Sequence, residues 1–120
     1  MKKKIFCFDI DGVICNTKEN KYQNSKPNKN TIKIINELYK KNKIIIFTSR
    51  YMGRNNDNIK KAKSQGYQKT FRQLKSWGLN FHKLKFGKPS FDIYVDDKSI
   101  FFKKKWHVNF KKKYLKNNDY

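Results

Sequence analysis

The chain has 120 residues, enough for one domain that buries roughly two-thirds of its unfolded surface. Hydrophobic residues make up 37% and aromatic residues 16% of the sequence, which excludes a largely disordered chain. Thirty Lys and Arg against nine Asp and Glu give a formal charge of +21, which attracts phosphorylated metabolites, nucleic acid or anionic membrane. Because nearly all of this charge is lysine, we interpret it as a solvated coat that identifies no partner.

The first predicted element is a strand over residues 5–8, which ends in two aspartates, Asp9 and Asp11. Successive strand side chains point to opposite faces, so these two carboxylates would leave the strand on the same side. Residues 13–27 are polar and have no sustained periodicity, which predicts a loop or flap.

A helix and a second strand follow. Apolar residues recur at helical spacing after Asn28 or Asn30, either of which can cap a helix that ends near Asn42. The β-branched apolar run over residues 43–50 shows no alternation, which is typical of a strand buried on both faces of a parallel sheet. Strand, helix and strand at this spacing predict a right-handed crossover.

Two short helices are predicted next, one over residues 57–64 and one over residues 70–77. Each has a capping side chain at its first residue, and Gly66 is expected to break the helical pattern between them.

Two further strands are predicted over residues 83–86 and 91–95. The alternation of strands and helices predicts a single α/β domain of Rossmann-like, three-layer architecture around a mainly parallel sheet. We assign residues 1–102 to its core. Residues 103–120 form a basic segment with a short helix, expected to pack on the core or at an oligomer interface.

Cysteine usage and hydropathy indicate the compartment. Cys7 and Cys15 lie too close to the first strand for a disulfide scaffold, so we expect a reducing environment and two small buried side chains. The apolar run after the basic N-terminus is too short for a secretion signal, and no run approaches a membrane span. These features predict a soluble, cytoplasmic protein.

Polar groups fall at the predicted carboxyl ends of the strands: Asp9, Asp11, Thr48, Lys88, Asp96 and Asp97. Each alone is explained by a turn or cap, but together they place four carboxylates at one sheet edge, which requires a cation. Oxygen donors favour Mg²⁺ over zinc. A phosphate group there would meet the cation, the Lys88 ammonium and the Thr48 hydroxyl, with Asp9 as nucleophile and Asp11 as proton carrier.

Four runs in this order resemble the motifs of haloacid dehalogenase superfamily phosphohydrolases: residues 8–13, 46–48, 87–89 and 94–97. The resemblance implies that Asp9 forms an aspartyl-phosphate and that Asp11 is the general acid and base. It also implies that Thr48 and Lys88 bind phosphate.

The same resemblance implies a Mg²⁺ site made by the Asp9 side chain, the Asp11 backbone carbonyl and an acid of the fourth motif. Asp97 is the favoured direct ligand with Asp96 as its neighbour, although the doublet leaves this choice open.

Family members with a cap domain insert it after the first motif or between the second and third. Neither residues 12–47 nor 49–87 leave room for one, so the chain resembles a capless member. Its specificity must then come from a large substrate or from neighbouring subunits. We therefore expect a homo-oligomer in which a partner covers residues 13–26.

Three runs are similar to phosphatases associated with bacterial capsular polysaccharide biosynthesis: residues 48–54, 77–79 and 87–90. This similarity implies a phosphorylated sugar or capsule-building intermediate as substrate. Ser49, Arg50 and Arg54 follow the second motif and are candidate substrate contacts, and solvated loop arginines are an equal alternative.

Three other functions share parts of this pattern. A signalling receiver domain also groups carboxylates, Thr and Lys, but in a different order along the chain. The main alternative is a phosphatase that acts on a 3′-phosphorylated nucleic-acid end, which suits the charge of +21. Nucleic acid is therefore a possible partner, but it is less favoured than a phosphorylated sugar. Binding without turnover is the third.

Overall fold

The computed structural model describes residues 2–115, so the last five residues of the predicted basic segment lie outside the described chain. The elements are β1 (Ile5–Phe8), β2 (Cys15–Asn16), β3 (Lys26–Pro27), α1 (Lys29–Tyr39), β4 (Lys43–Thr48), α2 (Ile59–Ser76), β5 (Lys83–Phe86) and α3 (Trp106–Tyr114). The chain divides into two compact units, one up to Ser90 and one from Phe91 onward, which are described separately.

The first unit contains a parallel three-stranded sheet in the order β1-β4-β5. Cys7 is opposite Ile45, and Ile46 is opposite Leu84. The helices α1 and α2 connect these strands in turn, so the predicted α/β class with a parallel sheet is confirmed.

Helix α1 forms where the apolar spacing predicts it. Of the two candidate caps, Asn28 is used, because its Oδ1 accepts the Thr31 amide at 3.1 Å. Ile32, Ile35 and Leu38 are buried along one face, which holds the helix on the sheet.

The prediction of two short helices is wrong, since α2 runs unbroken for 18 residues from Ile59 to Ser76. Its cap is Asn58, whose Oδ1 accepts the Lys61 amide at 3.0 Å. Gly66 does not end the helix but lies under the Tyr51 ring, in space that a Cβ atom would share with ring carbons. Gly66 therefore allows the Tyr51 ring to approach the helix closely, and it does not interrupt the helix.

One face of the sheet is better covered than the other. Both crossovers progress in the same direction, which places α1 and α2 on the same face. Ile44 and Ile46 on β4 are buried there, whereas Ile45 on the opposite face is only partly covered. The prediction that Cys7 is buried is wrong, because Cys7 belongs to this second face and is exposed.

The predicted flap contains a small antiparallel ribbon. β2 pairs with β3, with Cys15 opposite Pro27, and a 3₁₀ turn at Tyr22–Asn24 lies between them. The Tyr22 ring is buried, and it anchors the otherwise polar segment over residues 13–27.

In the second unit, the prediction of a strand over residues 91–95 is wrong. An apolar run forms a strand only where a neighbouring strand accepts its backbone hydrogen bonds, and no strand ladder includes it in the described chain. Helix α3 does form within the basic segment, where Trp106 and Phe110 are buried with ring centroids 4.9 Å apart.

No helix within residues 2–115 is both long and apolar enough to cross a membrane.

Candidate functional site

Three of the predicted groups meet at the carboxyl edge of the sheet. Asp9 follows β1, Thr48 ends β4 and Lys88 follows β5. The Lys88 Nζ lies 3.1 Å from Asp9 Oδ2, and the Lys88 amide donates to the Thr48 carbonyl at 3.1 Å. The parallel register brings these residues together because the carboxyl ends of parallel strands share one edge.

Asp9 is held in a partly buried position with 30% of its side chain exposed. Its Oδ1 accepts the Ile10 amide at 2.8 Å. Burial raises the pKa of Asp9 above its ordinary value, and the Lys88 ammonium and the Ile10 amide oppose that rise. The surroundings of Asp9 therefore disfavour its charged form, and Lys88 partly offsets this cost.

Asp11 is bound at both carboxylate oxygens by one guanidinium. Arg50 Nε donates to Oδ2 and Arg50 Nη2 donates to Oδ1, each at 2.9 Å. The Arg50 side chain is 0% exposed, and its Nη1 donates to Gln73 Oε1 at 2.7 Å. The alternative that Arg50 is a solvated loop residue is therefore wrong, and a contact between Arg50 and substrate stays a prediction.

Several residues around Asp11 have no motif that marks them. The Thr17 hydroxyl donates to Asp11 Oδ1, and Gln73 Nε2 donates to the Tyr22 carbonyl at 2.7 Å. The Arg50 guanidinium lies 4.7 Å from the centre of the Tyr22 ring. These contacts join the flap and α2 to the first motif, and only the folded structure reveals them.

Cys15 lies beside the same cluster. Its thiol donates weakly to Asp11 Oδ1 at 3.5 Å. Burial raises the pKa of Cys15, so the thiol form is favoured and a thiolate nucleophile is disfavoured.

The other residues of the second motif lie in different environments. Thr48 is buried, and its hydroxyl oxygen accepts the Arg50 amide at 3.1 Å. Ser49 is partly buried. Arg54 is exposed, with its guanidinium 4.7 Å from the centre of the Tyr51 ring. Arg54 is thus the more accessible of the two candidate arginines.

The predicted acidic doublet belongs to the second unit. Asp96 Oδ2 accepts the Tyr94 hydroxyl at 2.8 Å and Oδ1 accepts the Lys98 amide at 3.0 Å. The Lys98 amide, followed by the Tyr94 hydroxyl, lowers the pKa of Asp96. These contacts give Asp96 the role of a turn cap.

Within residues 2–115, no group of three or more His, Cys, Asp or Glu side chains is placed to hold a metal ion. The Asp11 side chain is already occupied by Arg50, so only its backbone carbonyl fits the implied role.

The fold and this edge define a small α/β protein with an Asp–Lys pair at the ends of parallel strands. No protein-family model matches the sequence. No curated protein matches it either. The chain is similar to the crystal structure of a structural-genomics target from Vibrio cholerae, at 22% identity and a TM-score of 0.76. The match covers 93% of this chain and 99% of that one, which supports the fold.

Proposed function

We propose that the protein is a Mg²⁺-dependent phosphatase that hydrolyses a phosphate monoester through an aspartyl-phosphate. The observation that carries this proposal is the contact between the partly exposed Asp9 carboxylate and the Lys88 ammonium at 3.1 Å. A nucleophilic carboxylate needs a neighbouring cation to approach an anionic phosphate, and Lys88 supplies one from the adjacent motif.

In the proposed first step, an Asp9 oxygen forms a bond to phosphorus while the bond from phosphorus to the leaving oxygen breaks. Lys88 stabilises the charge on the transferred group, together with the Thr48 hydroxyl. The leaving oxygen takes a proton from Asp11. Water then attacks phosphorus, the Asp9 ester bond breaks, Asp11 recovers the proton and inorganic phosphate is released.

Asp11 must change its contacts to carry that proton. In the described structure its two oxygens both accept from Arg50, so at least one of these hydrogen bonds has to open. Arg50 acts in this proposal as a positioning residue that holds Asp11 between turnovers. The buried guanidinium is fixed in turn by Gln73.

The proposed substrate is a phosphorylated sugar or a related polysaccharide intermediate, and the proposed setting is capsule biosynthesis in the cytoplasm. Arg54 is the exposed cation beside the second motif and is suited to a second anionic group on such a substrate. Ser49 is a further candidate contact.

The test is a phosphatase assay over sugar, polyol, amino-alcohol and nucleotide phosphates, each with Mg²⁺ and with EDTA. We expect Mg²⁺-dependent release of phosphate from at least one sugar phosphate. Asp9→Asn should abolish it, whereas Glu37→Gln, the same chemical change at an exposed position on α1, should not. Turnover near the wild-type rate in Asp9→Asn would refute the nucleophile.

A second candidate acts with the same chemistry on a 3′-phosphorylated nucleic-acid end. It is favoured by the charge of +21 and by exposed rings such as Phe101, which is 82% exposed. Adding a 3′-phosphorylated oligonucleotide to the panel separates the two. Preference for the oligonucleotide with a steep loss of activity in salt would select this candidate.

A further inference from the structure

A cavity of about 540 Å³ lies between α1 and the carboxyl end of α2, within the first unit. Its size is in the range of about 300–1,000 Å³ that is usual for small-molecule sites. None of its lining residues belongs to the candidate site at the carboxyl edge of the sheet. A ligand bound in this cavity would thus be separate from one that meets Asp9.

Trp77 forms the aromatic wall of the cavity, and the end of α2 fixes its position. The Gly78 amide donates to the Lys75 carbonyl at 3.0 Å and the Leu79 amide donates to the Leu74 carbonyl at 3.2 Å, which together form a Schellman motif. Gly78 has the positive φ of 76° that this motif requires. Trp77 directly precedes this glycine and is partly exposed, so part of its indole is open to a ligand.

Asn36 on α1 joins the two walls of the cavity. Its Nδ2 donates to the Gly78 carbonyl at 2.9 Å, and its Oδ1 accepts the Asn80 amide at 2.8 Å. Pro27 and the buried Ile32 supply further apolar lining. Because two hydrogen bonds link α1 to the chain that follows α2, the walls are held in place without a ligand.

The charged groups of the cavity are mainly cationic. Lys29 and Lys33 are exposed on α1, and neither has a carboxylate partner within residues 2–115. Residues four apart on a helix have Cβ atoms about 5–6 Å apart, so the two ammonium groups can contact one anionic group. Glu37 also lines the cavity, but its carboxylate is paired with Lys40 Nζ at 3.6 Å. The cavity therefore offers two uncompensated positive charges beside an aromatic ring.

The hydrogen-bonding groups favour a ligand that is recognised by stacking and charge. Asn36 uses both ends of its amide within the protein, and the Ser76 hydroxyl donates to the Gln73 carbonyl at 2.6 Å. Few fixed groups are left to select the hydroxyl pattern of a sugar. A nucleobase, in contrast, stacks on an aromatic side chain through its flat face, and a phosphate group suits two lysines.

We propose that this cavity binds a nucleoside phosphate, with the base stacked on Trp77 and the phosphate held by Lys29 and Lys33. All three side chains belong to the first unit. The proposal does not rest on the phosphatase function, because the cavity and the candidate site share no residue.

Calorimetric titration with AMP tests this site, in EDTA so that Mg²⁺-dependent turnover does not consume the probe. We expect the wild type to bind AMP. Trp77→Leu should weaken binding by about 5- to 150-fold, the loss of one base stack. The double variant Lys29→Gln/Lys33→Gln should weaken it by about 2- to 30-fold, the loss of two exposed charge contacts.

The matched control is Lys60→Gln/Lys61→Gln, which removes the same charge at the exposed start of α2, outside the cavity. Its affinity for AMP should stay within about twofold of the wild type at about 0.15 M salt, where distant surface charges are screened. A wild type that does not bind AMP would overturn the proposal. So would equal affinity losses in the two lysine double variants.

Fluorescence of Trp77 locates the base. The chain has two Trp residues, so Trp106→Phe leaves Trp77 as the single indole. AMP should quench its emission, whereas ribose 5-phosphate, which has no base, should bind more weakly and quench little. Affinity for ribose 5-phosphate or glucuronate equal to that for AMP would overturn the choice of a nucleoside phosphate.

Asp9→Asn separates this cavity from the proposed active site. AMP binding that is unchanged in Asp9→Asn but weakened in Lys29→Gln/Lys33→Gln would support the cavity, whether or not the protein hydrolyses phosphate esters. The reverse pattern would place AMP at the sheet edge beside Asp9 and would overturn the cavity site. Absence of phosphatase activity in the wild type would refute the proposed function alone.

Discussion

Asp11 and Arg50 are 39 residues apart in the sequence and form a two-point ion pair, with both N···O distances at 2.9 Å. The guanidinium is fully buried and reaches α2 through Gln73. Arg50 therefore connects the first motif to α2, the helix that follows the second motif. The sequence alone suggests Arg50 as a substrate contact. A bidentate, buried arginine of this kind orients a carboxylate more narrowly than a lysine would.

Replacing Arg50 by Met should leave Asp11 without its counter-charge. Breaking a buried pair from one side costs about 3–5 kcal/mol of the free energy of unfolding, and the 27% exposure of the Asp11 side chain places this variant at the lower end of that range. We expect a loss of this size in urea denaturation. Arg54→Met is the matched control, since Arg54 is exposed and stacks on Tyr51, a contact worth about 0.5–1 kcal/mol. Equal losses in the two variants would show that the Asp11 pair adds little.

Asp9→Asn should increase the stability of the fold at neutral pH, in contrast to its predicted loss of activity. Burial is the largest influence on Asp9 and disfavours its charged form, so a neutral amide at this position removes an electrostatic cost. The measurement is the Tm at pH 7 against the wild type. An exposed carboxylate such as Glu37, changed to Gln, should shift the Tm little.

The pH dependence of that difference has a defined sign. The folded-state pKa of Asp9 is raised, so its contribution to stability is fully present below the ordinary value of about 3.9 and is lost as the pH rises through the raised value. The stability gain of Asp9→Asn should therefore be largest at neutral pH and should shrink as the pH falls towards that ordinary value. A gain independent of pH would point to packing instead of charge.

Gly66→Ala should destabilise the protein, although the same change in a helix interior usually stabilises by about 1 kcal/mol. The new methyl group would overlap the Tyr51 ring, so ring or helix must shift at a cost of about 1–3 kcal/mol. Ser64→Ala, on the exposed part of α2, is the control and should be neutral or stabilising. Chemical denaturation of both variants measures the difference, and a stabilised Gly66→Ala would show that the ring moves freely.

Gly66 also shows where sequence patterns stop being informative about the fold. The helix α1 and the three parallel strands follow from periodicity, capping and apolar runs, which act over a few residues. The residues next to a glycine do not reveal whether it ends a helix or makes room for an aromatic ring from another part of the chain. The close approach of Tyr51 decides between these outcomes, and that contact exists only after folding.

The candidate site likewise contains some contacts that strand positions predict and others that form only when distant parts of the chain fold together. The meeting of Asp9 and Lys88 follows from their positions at the ends of parallel strands, so strand prediction is sufficient for it. The burial of Arg50 depends on Gln73 and Tyr22, which come from separate elements and carry no motif. Residues 91–95 have the composition of a strand but belong to no strand ladder in the described chain.

Magnesium should stabilise the wild-type protein if the proposed site forms. A ligand at one hundred times its Kd raises the free energy of unfolding by about 2.7 kcal/mol, so the Tm should rise with MgCl₂ until the site saturates. Because a chain of charge +21 also responds to salt alone, the reference is NaCl at equal ionic strength. Asp9→Asn and the double variant Asp96→Asn/Asp97→Asn should each lose the Mg²⁺-specific part of the rise, since both remove a proposed ligand. A Mg²⁺-specific rise that persists in both variants would place the ion elsewhere on the protein.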